Sequence, residues 1–317
     1  NIKFIRRNPG QDIPKDIPAF GTVFTDHMLE VDWKDGQWSH PVIRPLEPLH
    51  LHPAAKVLHY SPTIFEGLKA FRGIDNEIRL FRIERNMARM VESARRAGLP
   101  EFCPLQLEHM IEDLVRKERE WVPCGDNTSL YIRPFLFGTD PSLGVNRSRE
   151  AKLVVISCPV GPYYQSGWKP VSLYADPAFI RAAPGGVGAY KMGCNYAPGI
   201  FVTEKALAFG CYQALWLWGE NEQLTEVPRR GGRGKYKEKV EEMELVTPPI
   251  SGGLILPGVT RESILMLARE ANEFKVTERY PTMNEIAKAS KDGRLMEIFC
   301  SGTAAVVSPV NRIVYID

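Results

Sequence analysis

Gly185-Gly186-Val187-Gly188-Ala189-Tyr190-Lys191-Met192-Gly193-Cys194-Asn195-Tyr196 sets one lysine among small residues, with a tyrosine five positions later. Small residues let the main chain crowd around that lysine. A lysine becomes a nucleophile toward an aldehyde when burial or a neighbouring positive charge lowers its pKa, after which it forms a Schiff base. Lys191 is the candidate for such a group. Two other readings of the glycines fail on spacing. A phosphate loop needs four residues between two glycines and then Lys and Ser/Thr, and Gly188 is followed by Ala189, Tyr190 and Lys191. The dinucleotide pattern fails because Lys191 stands where the third glycine belongs.

Outward from that segment, the 317 residues suffice for two domains. Hydrophobic residues make up 44% of the chain and charged residues 25%, ordinary values for a globular protein. A formal net charge of +2 provides no broad field for nucleic acid or a membrane surface. The six cysteines (Cys103, Cys124, Cys158, Cys194, Cys211 and Cys300) show no Cys-x-x-Cys pair and read as free thiols of a reducing compartment. The six histidines all fall within the first 109 residues. The closest pair, His50 and His52, is expected on one face of a strand as surface residues, so no metal site is expected. No apolar run has the length of a membrane span, and the chain begins at Asn1 without a signal-peptide core.

Periodicity gives an α+β pattern in two parts. Residues 78–82 read as a strand, and Ile83, Met87, Met90, Val91 and Ala94 then recur at helical spacing until Gly98 and Pro100. A second helix carries Leu107, Met110, Ile111, Leu114 and Val115 on one face. Residues 128–137 and 153–160 read as strands. The stretch 161–167, rich in Gly, Pro and Tyr, reads as a linker between residues 1–160 and residues 168–317. Beyond it the pattern predicts strands at 171–174 and 214–218, helices at 202–209 and 260–273, and strands at 295–300 and 310–316. Thr282-Met283-Asn284-Glu285 has capping-box spacing and should start another helix. Residues 228–244 (PRRGGRGKYKEKVEEME) break the apolar pattern with charge and glycine and read as a solvated loop or disordered insert.

Pyridoxal phosphate chemistry needs an amine, an acid partner for the pyridine nitrogen, a group near the phenolic oxygen and a phosphate cradle. Lys191 supplies the first, Glu226 in Leu224-Thr225-Glu226-Val227 the second, and Tyr196 the third. Ser301-Gly302-Thr303-Ala304 and the helix-opening Gly258-Val259-Thr260 can each present main-chain N–H groups to a phosphate. Taken singly, a strand glutamate is more often a surface charge and a Gly-Thr turn only a turn.

The order of these pieces resembles the branched-chain amino-acid aminotransferases, pyridoxal 5'-phosphate enzymes of fold type IV, from Phe20 to Val227 and from Leu245 onward. The resemblance rests on Phe24-Thr25-Asp26-His27-Met28, Leu58-His59-Tyr60-Ser61, Phe65-Glu66-Gly67 and Leu130-Tyr131-Ile132-Arg133-Pro134. It continues through Ala178-Phe179-Ile180-Arg181, the lysine segment, Leu256-Pro257-Gly258-Val259-Thr260-Arg261 and Ser301-Gly302-Thr303-Ala304. It implies a small N-terminal α/β domain (1–160) and a larger, barrel-like, cofactor-binding domain (168–317). It implies Lys191 as Schiff-base lysine and proton carrier, Tyr196 at the phenolic oxygen and Glu226 at the pyridine nitrogen. Arg89, Val259, Thr260 and Thr303 would hold the phosphate, with Arg181 close by. Phe20, Phe65 and Tyr163 would form an apolar substrate wall, Tyr131 and Arg133 its polar edge, and Ala304 a main-chain contact for the substrate carboxylate. For any one of these aromatics taken alone, plain core packing is the competing reading. Leu143 and Val145 would reach the site of a partner subunit, with Tyr60 near that junction, so a homodimer is implied.

The same resemblance implies transamination of L-leucine, L-isoleucine or L-valine with 2-oxoglutarate, in the cytoplasm or the mitochondrial matrix. Alternatives are another type IV enzyme, such as a D-amino-acid aminotransferase or an aminodeoxychorismate lyase, and a catalytically impaired paralogue acting through protein contacts. The last draws on one departure: where the family has Gly-Thr-Met-Asn and an apolar strand after its glutamate, this chain has Pro228-Arg229-Arg230-Gly231 and charge, and the pattern resumes at Leu245. A Cys-x-x-Cys present in some animal members is Ala305-Val306-Val307-Ser308 here. The family continues past the strand that ends near Asp317, so further helical structure is expected beyond it.

Overall fold

The computed structural model describes residues 2–8, 10–161, 170–225, 231–238, 242–304 and 306–316, with the main chain alone for 231–238 and 242. The chain divides into two compact units, Asn1–Tyr163 with Tyr190–Cys194, and Tyr164–Ala189 with Asn195–Asp317. The expected linker at 161–167 lies outside the described residues from 162 onward.

The first unit is built on a nine-stranded sheet. Its path runs Lys3–Phe4, Val42–Pro45, His27–Lys34, Ala151–Val160, Ser129–Gly138, Leu68–Arg72 and Ile78–Leu80, with Gln37–Trp38 and Thr63–Phe65 joined to it from the side. Ser129–Gly138 pairs along its whole length with Ala151–Val160. On its other edge it meets Leu68–Arg72 through residues 130–132 and Thr63–Phe65 through residues 135–137. Between these two ladders lie Glu66 and Gly67, opposite Arg133 and Pro134. The Pro134 carbonyl accepts the Glu66 N–H at 2.7 Å. The N–H that proline lacks would point to the same side, where the ladder is already broken, which is how this strand tolerates a proline. The break lets side chains converge.

Helix Ile83–Ala97 stops where expected: Gly98 adopts φ +66°, and its N–H returns to the Ala94 and Arg95 carbonyls. It packs beside helix Pro104–Lys117, with Met87, Met90, Ala94, Leu107, Ile111 and Leu114 fully buried. His50 and His52 are not on a strand. They precede the short helix Lys56–Tyr60, and His52 Nδ1 accepts the Ala54 N–H at 3.0 Å. The prolines of this stretch, Pro45, Pro48 and Pro53, favour turns over a ladder.

The second unit holds a mixed seven-stranded sheet. Its order is Gln213–Ala214, Val171–Ala175, Val306–Tyr315, Leu295–Gly302, Gly231–Glu238, Glu242–Thr247 and Lys275–Glu278. Helices Ala197–Ala208, Val259–Ala271 and Met283–Lys291 belong to it. Val171, Leu173, Leu215, Leu217, Val246, Met283 and Ile286 share one core cluster. Thr282 caps its helix as the spacing predicts, its hydroxyl accepting the Glu285 N–H at 3.1 Å.

The expectation for residues 228–244 is corrected here. Gly231–Glu238 is a strand between Leu295–Gly302 and Glu242–Thr247, paired on both sides. Composition weighs side chains, whereas this ladder is made by main-chain groups that every non-proline residue carries. Residues 228–230 and 239–241 lie outside the described residues.

Candidate active site

In the first unit the lysine segment is tied down by its own main chain. The Lys191 N–H donates to Ser93 Oγ at 2.9 Å, and the Lys191 carbonyl accepts from Phe65 N at 3.1 Å. Met192 bridges to Ile64. Gly193 is required at its position, since a Cβ there would run into the Thr63 side chain. The Lys191 ammonium consequently stands over the Phe65 ring, 5.2 Å from its centroid. The same ring carries the Arg133 guanidinium at 4.7 Å. Arg133 Nη2 donates to the Tyr131 hydroxyl at 2.9 Å, and Phe20 meets the Tyr131 ring edge-on at 5.0 Å. A Cβ at position 67 would collide with that hydroxyl, so any residue but glycine would push Tyr131 out of place. Lys191, Phe65, Tyr131, Arg133 and Phe20 thus form one connected group.

Beneath them is a buried polar network. Glu66, fully buried, accepts from Arg89 Nε at 2.7 Å, Arg89 Nη2 at 2.8 Å, Asn86 Nδ2 at 2.8 Å and Gly67 N at 3.1 Å. Burial alone would push its carboxyl up. The charge and hydrogen bonds of Arg89, then the charge of Lys191 and the Asn86 amide, outweigh burial and hold it below the ordinary 4.5. Asn86, Arg89 and Ser93 lie three and four residues apart, so they share one face of helix Ile83–Ala97. The sequence reading assigned no role to Glu66, Asn86 or Ser93. Their signal was there: three polar residues at helical spacing, interleaved with the apolar positions 87, 90 and 94.

Tyr60 stands apart from this group, 43% exposed, its hydroxyl donating to the Leu143 carbonyl. Leu143 and Val145 are exposed at 62% and 82%.

In the second unit Arg181 Nη2 donates to the carbonyls of Gly188 (2.9 Å) and Leu254 (2.7 Å). Gly188 permits this, because a Cβ would press on the Gly253 and Leu254 carbonyls. Arg181 and Tyr196 line one cavity of about 520 Å³ with Asn195, Thr203, Glu204 and Trp216. Val259 and Thr260 open helix Val259–Ala271 after Gly258, which gives it no side-chain cap, so the first-turn N–H groups suit an anion. Thr303 and Ala304, half-buried, form the turn between Leu295–Gly302 and Val306–Tyr315. Tyr163 and Glu226 lie outside the described residues. Among the described residues no group of three His, Cys, Asp or Glu side chains is arranged to hold a metal ion. None of the described helices is long and apolar enough to cross a membrane.

The family profile for class IV amino-transferases matches residues 63–313. The chain belongs to the class IV aminotransferases. Within them it is 55% identical over 297 residues to the cytosolic branched-chain-amino-acid aminotransferase of Caenorhabditis elegans, covering 93% of this chain and 72% of that protein. It is 48% identical over 317 residues to the mitochondrial branched-chain-amino-acid aminotransferase of Rattus norvegicus, covering 99% and 80%. Among solved structures, the branched-chain aminotransferase of the thermophilic archaeon Thermoproteus uzoniensis with norvaline shares the fold at a TM-score of 0.70, with 25% identity over 89% of this chain and 86% of that one. Relatives at this level thus include both cytosolic and mitochondrial enzymes. Class IV aminotransferases work with pyridoxal 5'-phosphate, and this chain is a pyridoxal-phosphate-dependent aminotransferase. Its residues fit that group: an amine at Lys191, a guanidinium at Arg181 and an uncapped helix N-terminus at Val259 are the donor types that an aldehyde and a phosphate need.

Proposed function

We propose that the chain moves the amino group of L-leucine, L-isoleucine or L-valine to 2-oxoglutarate in two half-reactions, as a homodimer. The observation that carries this reading is the Phe65 ring, with the Lys191 ammonium over it at 5.2 Å and the Arg133 guanidinium at 4.7 Å. An enzyme alternating between a branched apolar amino acid and a dicarboxylate needs an apolar wall with a cation at its edge. Phe20, Phe65 and Tyr131 provide the wall, and Arg133 the cation, oriented by its bond to the Tyr131 hydroxyl.

When bound, pyridoxal phosphate supplies an electron sink for the substrate carbon that loses its proton. Lys191 would offer its amine to the cofactor aldehyde, and its Nζ would hold the proton that leaves the substrate Cα. In this reading Tyr196 would lie at the phenolic oxygen, and Glu226 would keep the pyridine nitrogen protonated. Arg89, Arg181, Val259, Thr260 and Thr303 would hold the phosphate, and the Ala304 main chain would receive the substrate carboxylate. The apolar wall excludes water from the reacting carbon. The homodimer reading is supported by Leu58, Tyr60, Leu143 and Val145, four large apolar side chains 43% to 82% exposed on two neighbouring segments.

The test combines spectrum and turnover. The purified chain with pyridoxal phosphate should show a violet absorption band that borohydride abolishes, and should convert L-leucine but not D-leucine with 2-oxoglutarate. Turnover of D-leucine alone would replace this reading with a D-amino-acid aminotransferase.

A further inference from the structure

Lys56 is a buried cation outside the site described above. It opens the short helix Lys56–Tyr60 and is 1% exposed. A buried ammonium has three donors and no tolerance for leaving them unused. All its acceptors come from one loop: Nζ donates to Gly144 O at 2.6 Å, Asn146 Oδ1 at 2.8 Å and Ser142 Oγ at 3.3 Å. Asp140 of the same loop supplies the counter-charge at 3.6 Å, and its carbonyl accepts the Lys56 main-chain N–H at 3.2 Å. The far end of the helix holds the loop too, through the Tyr60 hydroxyl on the Leu143 carbonyl.

The acceptors fall at every second residue, 142, 144 and 146. The loop held in this way carries Leu143 and Val145, the two apolar side chains among its exposed residues 143–147, at 62% and 82% exposure. The ammonium therefore fixes the loop on which these two side chains stand.

We infer that Lys56 is a positioning residue for the substrate site of the partner subunit, acting through Leu143 and Val145. This rests on the homodimer reading. Without the ammonium the loop loses its shared centre, and the two apolar side chains lose a fixed place in the partner's pocket. The cost falls on substrate binding and spares the proton transfer at Lys191.

The experiment uses Lys56→Met, which keeps length and burial but removes the donors. Its homodimer should show KM for L-leucine raised roughly tenfold, the scale of a misfitted apolar contact, with kcat nearly unchanged and faster hydrogen exchange at 142–146. Mixed dimers are then made with Lys191→Ala chains. The only complete lysine in such a dimer belongs to the Lys56→Met chain, and its loop partner is the chain with Lys56 intact. KM should return to the wild-type value. A KM that stays raised in the mixed dimer, or one unchanged in the Lys56→Met homodimer, overturns the inference. Sedimentation of the wild-type chain as a monomer would instead fail the homodimer reading and the inference with it. Should Lys56→Met not fold, Asn146→Ala removes a single acceptor and should give a smaller KM rise with the same rescue.

Discussion

Lys191 and Glu66 carry opposite charges beside Phe65, and each should fail in its own way when replaced. Lys191→Ala removes the proposed covalent partner and proton carrier while leaving the main-chain bonds to Ser93 and Phe65. We expect transamination to be lost with the melting temperature little changed; substantial turnover by the purified variant without added amine would refute the assignment. Glu66→Gln should cost stability, because the Arg89 guanidinium, 9% exposed, loses its charged partner, and should weaken cofactor binding as well, since Arg89 is proposed to hold the phosphate. Removing one member of a buried pair costs about 3–5 kcal/mol. The pH dependence follows from the lowered carboxyl of Glu66. Its contribution is complete above the ordinary 4.5 and is lost as pH falls through the lower folded value, so the gap between wild type and variant should narrow on acidification. Urea unfolding at pH 7 and in the acid range checks both size and sign. That Lys191, Arg133 and Tyr131 are candidates is readable from local landmarks, and the structure groups them around Phe65. Glu66, Asn86 and Ser93 were not readable in this way, since a buried polar residue acquires a role only when a partner from another element reaches it.

At the scale of elements, legibility followed chemistry that is local. Gly98 and Thr282 mark helix ends through their own main-chain and hydroxyl groups, and both were readable. Thr282→Ala should therefore destabilise the second unit by about 1 kcal/mol, seen as a lower urea midpoint at unchanged KM; an unchanged midpoint would mean the cap contributes nothing net. The helix expected from Val202 instead begins at Ala197, with a proline in its first turn. Pro198 stands in that first turn, where a proline is at home because its missing N–H has no helical partner to lose. The exposed Ile200 and Phe201 blurred the amphipathic stripe that sets the boundary. Residues 214–218, expected as one strand, are two short ones separated by Leu215 and Trp216. Both of these are buried, so apolarity signalled burial and not a continuous ladder.

For the molecule as a whole, the departure after Glu226 decides how well the family's chemistry runs in this chain. Gly231–Glu238 has a strand on each side, so it is central to its sheet, and its sequence GGRGKYKE carries lysines and an arginine where the family's pattern is apolar. Glycines in a strand weaken it for want of side chains to pack, and replacing apolar positions of a central strand by charge is costly wherever those positions are buried and unpaired. Pro228 and Arg229 stand where the family has glycine and a threonine that helps hold phosphate and substrate, although a guanidinium can itself pair with phosphate. The expected outcome is weakened rather than absent cofactor binding. A version with Gly-Thr-Met-Asn at 228–231 and an apolar strand after it should bind pyridoxal phosphate more tightly, unfold at higher urea and turn over L-leucine faster, each measured beside the chain as it stands. Equal affinity and turnover would mean that the sheet tolerates the charged strand and that residues 228–244 take no part in holding the cofactor.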